Sequence, residues 1–277
     1  MNIMADKYIK DTPVLFNNQL QSTDVIPVCM PLDGSIKNIA VEQLLLSVIN
    51  KCNTLTNMCN SLANRLAEAN IKNSNNVIIH QFYGGSGGCV SHNFVELYNP
   101  TNSSITLTGK SLHYCTTTSI TKIDLSGSIA AKSSFLIKGA SASASNPDST
   151  GEKSWLDITG KTADQTITNS FSNKMIGFIL TDNTTALTTS VFNNISAITG
   201  LLDAVSTTDD AESPSPFYIG QPVFDQSKQK AVRRILFSKS SNNRYDFEKV
   251  DYRIKDNLSK APKCGADGQW SYFLTEE

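Results

Sequence analysis

The sequence predicts a mainly β protein: an antiparallel β-sandwich head preceded by an α-helical coiled-coil stalk and a short anchor segment. Three observations predict it. From Val77 onward, short apolar runs rich in Val, Ile, Phe, Tyr and Thr recur between turn clusters. From Val41 to Ala69, apolar residues recur at helical spacing, and no Gly or Pro falls between Ser35 and Asn76. Before Ser35, short apolar pieces are broken by Pro, Asn, Asp and Gly.

The composition agrees. Charged residues make up 18% of the chain, below the roughly 25% of an ordinary globular protein. Ser, Thr and Asn supply the missing polarity, at roughly 30% of residues. Thr fits a pleated sheet and Asn tolerates turns, so this is the polarity of a β-rich surface. The formal net charge is -1, and Arg233-Arg234 is an isolated pair rather than a stripe. That argues against nucleic acid as a partner. No run has the length of a membrane span, so no membrane insertion is expected. The opening "MNIMADKYIKDTPVLF" lacks the apolar core of a secretory signal. The six cysteines, Cys29, Cys52, Cys59, Cys89, Cys115 and Cys264, form no C-x-x-C pair and are expected to be reduced thiols.

The first element is the arm, residues 1–35. Its short strands and turns bury little alone, so it needs a partner surface to order it. Residues 36–73 follow as the oligomerisation helix. Val41, Leu45, Val48, Cys52, Leu55, Cys59, Leu62, Leu66 and Ala69 fit one heptad frame. Such a seam is hidden by copies of itself or by the chain's own β domain. Leu45 and Leu66 at a, with Val48 and Leu62 at d, lean away from dimers, and Leu44, Ile49, Met58 and Ala63 widen the apolar face. The expectation is a parallel homotrimer, with Cys52 and Cys59 as small core hydrophobes. "NIKNSNN" ends the pattern.

The head spans residues 77–277, including a C-terminal extension. "VIIHQFY", "NFVELYN", "SITLTG", "SLHYC", "SSFLIKG", "MIGFILTD" and "VRRILFSK" read as strands, with no interleaved helices. "GASASASNPDSTGEKS" is a low-complexity loop.

One stretch of the head invites a chemical reading. Gly84, Gly85, Ser86, Gly87 and Gly88 fit the G-x-S-x-G pattern of a hydrolase elbow, which needs a strand, a sharp turn at Ser and then a helix. Here "NFVELYN" follows, alternating Phe94, Glu96, Tyr98 against Val95, Leu97, Asn99, which is strand patterning. The histidines are His80, His92 and His113; no acid lies between Ser86 and His92, and Glu96 alone lies between Ser86 and His113. A phosphate loop fails too, because Cys89 stands where its lysine belongs. Zinc ligation by His80, Cys89, His92 and Cys115 matches no familiar spacing. Asp209-Asp210 with Glu212, and Asp246 with Glu248, read as solvated surface. The expectation is no catalytic residue, no metal and no cofactor, with the five-residue glycine stretch as a flexible connection and candidate binding loop.

From Val77 to Leu112 the sequence resembles the lamin-tail domain family. The resemblance rests on "NFVELYN" (Phe94, Val95, Glu96, Leu97, Tyr98, Asn99) and on Leu107, Gly109, Ser111, Leu112 and Tyr114. "IDLSGSIAAKSSFLIKG", Arg233-Arg234 and "SKSSNNRYDFEKVD" are similar to later parts of that family, carrying the likeness to about residue 255. It implies an immunoglobulin-like sandwich, non-enzymatic by itself, used in binding or attachment. Residues 140–222 depart from the pattern through long insertions, where features particular to this chain are expected. Further upstream, "STDVIPVCMPLDGSIKNIAVEQLL" resembles the start of phage fibre proteins through Asp24, Ile26, Pro27, Val28, Asp33, Gly34, Lys37, Ile39, Val41, Gln43 and Leu44. That resemblance assigns Asp24, Ile26, Pro27 and Val28 to an anchor.

The combined expectation is a non-enzymatic virion structural protein: a short trimeric phage fibre on head or tail. Its N-terminus would bind capsid or tail proteins, and its head would decorate the particle or adhere to a host-surface glycan or protein. The alternative is a cellular surface adhesion or scaffold module using the same sandwich.

Overall fold

The structure is a computed structural model describing residues 25–29, 36–73, 76–85, 88–141, 156–209, 214–224 and 226–263. Asp24, most of the arm, and nearly all of the low-complexity loop lie outside the described residues. The chain divides into two units, residues 1–64 and 65–277. The division falls inside the long helix rather than at its C-terminal end.

In the first unit, β1 (Val25–Cys29) pairs antiparallel with β2 (Ile36–Ala40), Val25 opposite Ala40. Ile26, Pro27 and Val28 therefore lie in a hairpin strand. Helix α1 (Val41–Asn73) follows without a break; side chains are described for Leu45 to Leu62.

The coiled-coil stalk requires correction. The protein is mainly β, and α1 is a single helix with an uncovered seam. Leu45, Val48, Leu55 and Leu62 are each half or more exposed, Leu55 by 64%. Cys52 and Cys59 are exposed free thiols. Among the described residues no second helix packs on this face. The physical reason is that a heptad spacing fixes which face of a helix is apolar, not what covers it.

The second unit is built on two sheets. Its strands are β3 (Ile78–Tyr83), β4 (His92–Tyr98), β5 (Ile105–Thr106), β6 (Ser111–Cys115), β7 (Ile120–Asp124), β8 (Ser128–Ile129) and β9 (Ser134–Ser141). After them come β10 (Gln165–Thr166), β11 (Gly177–Thr181), β12 (Leu201–Ser206), β13 (Ala231–Arg234) and β14 (Phe247–Val250). Of the two main sheets one runs β10-β9-β4-β3-β13-β14 and the other β12-β11-β6-β7, while β5 and β8 form a small third sheet. The two pack face to face through Phe82, Val95, Leu97 and Ile137 on one side and Leu112, Tyr114, Phe178 and Leu180 on the other. Phe82 and Phe178 lie 4.9 Å apart across the interface. A wholly antiparallel sandwich is also corrected: β10 pairs parallel to β9.

Both sheets are covered on their outer faces as well. Outside the six-stranded sheet, Tyr83, Phe94, Leu136 and Val250 pack under Cys89, Leu156, Ile158, Tyr252 and Leu258. Outside the four-stranded sheet, Cys115, Ile179 and Ala204 pack under Ile195, Ile198 and Phe217. This explains why β3, β6 and β11 are buried at every position, where a sheet with one wet face would alternate. The second cover is made by the insertion beyond β11, through 3₁₀ turns at Thr189–Asn193 and Ile195–Ala197.

Turn chemistry fixes the ends. Asn99 Oδ1 accepts from the Thr101 amide at 2.9 Å, while Nδ2 donates to the Ser103, Ile129 and Ala130 carbonyls. The last residue of "NFVELYN" is thus a turn builder that links β4 to β8.

Candidate functional site

Two regions compete as the site, and the glycine stretch is the first. Gly84, Gly85 and Gly88 are buried; Ser86 and Gly87 lie outside the described residues. A Cβ on Gly84 would run into the Ser172 carbonyl. One on Gly88 would meet the Lys228 carbonyl and the Tyr83 hydroxyl. The Lys228 carbonyl accepts from the Tyr83 hydroxyl at 2.6 Å and from the Cys89 amide at 3.1 Å. Gly85 donates its amide to Asn93 Oδ1 at 3.0 Å. The buried glycines therefore serve close backbone approach, which differs from a flexible connection. After them comes β4, a strand where a hydrolase elbow has its helix.

The polar residues nearby hold structure. Glu96 is 1% exposed and surrounded by donors. Gln81 Nε2 donates at 2.7 Å and the Lys263 amide at 2.6 Å, and His80 Nδ1 lies 3.1 Å away. Burial acts to raise the Glu96 pKa, but the His80 and Gln81 contacts and the Lys263 amide outweigh it, and the pKa lies below the ordinary value. His80 also stacks on Phe237, centroids 5.3 Å apart. Ser91 Oγ lies 3.0 Å from His92 Nδ1, yet Ser91 is 4% exposed and accepts the Ile158 amide at 2.8 Å. That hydroxyl ties β4 to the covering segment. Burial pushes the Cys89 thiol up to about 12, far from thiolate character at neutral pH.

The candidate zinc ligands are separated. His80 belongs with Glu96, His92 with Ser91, Cys89 lies in the outer cover of the six-stranded sheet, and Cys115 in that of the other. Among the described residues no group of three or more His, Cys, Asp or Glu is placed to hold a metal. Nor is any helix there long and apolar enough to cross a membrane.

The second region is a pocket of about 450 Å³ at the β12 edge of the four-stranded sheet, between the 3₁₀ turns, β12 and residues 218–220 and 234–246. That volume suits a small ligand. Its floor is rigid. Arg234, 1% exposed, donates from Nη2 to Asp203 Oδ2 at 2.5 Å, from Nε to the Ile79 carbonyl at 2.8 Å and from Nη1 to the Ser238 carbonyl at 2.5 Å. Its guanidinium also sits over Phe247, 4.3 Å from the ring centre. Asn243, at the start of the short helix α2 (Asn243–Asp246), acts as a substitute strand for the edge of β12. Its Oδ1 accepts the Ser206 amide at 2.9 Å, and its Nδ2 donates to the Ala204 carbonyl at 3.1 Å.

Asp246 departs from the solvated role its sequence context implies. It is 2% exposed and accepts from Ser238 Oγ and the Ser240 amide. Glu248 pairs with Arg233 and Lys260, and Asp209 with Lys174 at 2.7 Å. Asp210 and Glu212 lie outside the described residues.

None of the seam, anchor or glycine residues lines this pocket. Arg234, noted in sequence for its resemblance, forms its floor. The rest comes mainly from the insertion and the turns after β13. The usable signal was "SVFNNISA" and "SPSPFYIG": aromatics and paired amides in a segment without strand patterning.

No family model matches the chain, and no curated protein matches it. A solved structure of a DUF4876 family protein from Bacteroides thetaiotaomicron is similar with a TM-score of 0.41 and 12% identity, over 62% of this chain and 70% of that one. A likeness this remote carries no argument about function.

Proposed function

We propose that this chain is a non-enzymatic attachment protein of a virus particle. Its N-terminal unit binds capsid or tail proteins, and its β head contacts a host-surface glycan or protein. The observation that carries the reading is the pairing of two unlike units. A hairpin and a long helix with an uncovered apolar face precede a head whose G-x-S-x-G residues at 84, 85 and 88 are packed against backbone. The resemblance of residues 77–255 to lamin-tail domains and of the N-terminal segment to phage fibre proteins supports the same assignment. In this reading three copies associate, and joining three heads raises avidity without new contacts.

Antibody labelling of purified particles tests it. The expected result is labelling of intact virions, with purified chain competing for adsorption to host cells. Absence of the protein from intact particles would end the proposal.

A further inference from the structure

The pocket on the four-stranded sheet combines a fixed floor with a free polar rim. Ile195, Asp203, Ala204, Arg234, Asn243 and Asp246 are buried beneath it. Asn193, Asn194, Ser196, Tyr218, Lys239 and Ser241 are exposed around it.

The lining carries no surplus charge. Two cations, Arg234 and Lys239, face two carboxylates, Asp203 and Asp246. Arg234 is paired with Asp203, Lys239 Nζ donates to the Leu202 carbonyl at 2.6 Å, and Asp246 is filled by Ser238 and Ser240. The buried charges are matched among themselves and offer a ligand no free partner; among the lining residues the charge left at the exposed rim is the Lys239 ammonium.

The rim is different. Tyr218 is 61% exposed. An aromatic ring left in water on a built pocket offers an apolar platform with a polar tip. The Asn193 amide and the hydroxyls of Tyr218 and Ser241 make no hydrogen bond to another described residue. Asn194 Oδ1 accepts from Ser196 Oγ at 2.9 Å, which sets that amide beside its neighbour. Closely spaced amides present donor and acceptor together, as adjacent hydroxyl groups do in reverse. Such a ring suits the C–H face of a pyranose, and such amides suit its hydroxyls.

We propose that this pocket binds an uncharged saccharide, with Tyr218 as the stacking platform and Asn193 and Asn194 as the hydroxyl-reading amides. The proposal rests on the attachment reading and names the chemistry of its ligand. Because the floor is locked by Arg234 and Asn243, the reorganisation on binding is confined to ordering the rim side chains.

The test uses the full chain on a glycan array carrying neutral, sialylated and sulfated glycans. Titration calorimetry follows, with the best neutral oligosaccharide. Retention of neutral glycans is expected. Tyr218→Ala is expected to weaken binding at least about tenfold, and Asn193→Ala severalfold, with unchanged melting temperature. Tyr218→Phe, which keeps the platform, retains most of the affinity. Capture of charged glycans only, no capture of any glycan, or wild-type affinity in Tyr218→Ala overturns the pocket. The attachment reading is tested separately by competition for host-cell adsorption. If Tyr218→Ala chain competes as well as wild type, the pocket falls and attachment stands; if neither competes while the neutral glycan still binds, attachment falls and the pocket stands.

Discussion

The glycine stretch and the pocket rim are opposites. The first has a motif and is closed: its described glycines are buried against the Lys228 and Ser172 carbonyls, and the nearby Glu96 is enclosed by donors. The second has no motif and is open: its floor is satisfied, while its rim leaves Tyr218 and Asn193 in water. A motif records residue types in order. A site needs groups the fold has left unused, and those lie at the rim.

This contrast makes a double expectation. Changes near the glycines cost stability without touching binding, and changes at the rim do the reverse. The largest effect is expected from Glu96→Ala, which strands the Gln81 and His80 donors and the Lys263 amide in the interior. Loss of about 3–5 kcal/mol is expected, the scale for breaking a buried charged network, read by urea denaturation. Gly88→Ala comes next, at about 1–3 kcal/mol for the overpacking it forces. A Gly88→Ala chain as stable as wild type would show that the close packing there is not needed.

Acid unfolding separates two buried groups, His113 and Glu96. Burial lowers the His113 pKa in the four-stranded sheet to about 4, helped by the Lys122 charge. The unfolded chain therefore takes up that proton first. This stability is full above about 6.5 and is lost as pH falls from there toward 4. The Glu96 pKa lies below the ordinary glutamate value of about 4.5, so its contribution is full above that value and is lost only at lower pH. Two successive steps are expected in stability against pH, with the upper one reduced by His113→Gln. A single step near pH 4 would contradict that assignment. Smallest of all is the stability effect of Tyr218→Ala, expected within about 0.5 kcal/mol. Leu55→Asp on the exposed face of α1 should likewise leave head stability unchanged in urea denaturation.

The strands were legible because their apolar runs are bounded by turn residues, and "NFVELYN" is β4 with its turn. Its burial was not legible. Alternation implied one wet face, yet Phe94 faces an outer cover made by Leu156 and Tyr252, far along the chain. The role of Gly88 was hidden for the same reason, because the carbonyl it approaches belongs to Lys228. The helix misled in the opposite direction: the spacing from Leu45 to Leu62 was taken to imply a covered seam, and those residues are exposed. The pocket left little trace because its wall is 3₁₀ turns, whose apolar residues, Val191, Phe192 and Ile195, follow no strand or helix repeat.

The bond between Glu96 and the Lys263 amide spans 167 positions. A ribosome adding about 5–20 residues per second needs roughly 8–33 seconds to cover them. Throughout that interval β4 is made and its carboxylate lacks a partner it requires in the finished core. The sheet around Glu96 is therefore completed late in synthesis, and a message truncated before codon 263 yields a head with an ill-matched charge on the covered outer face of β4.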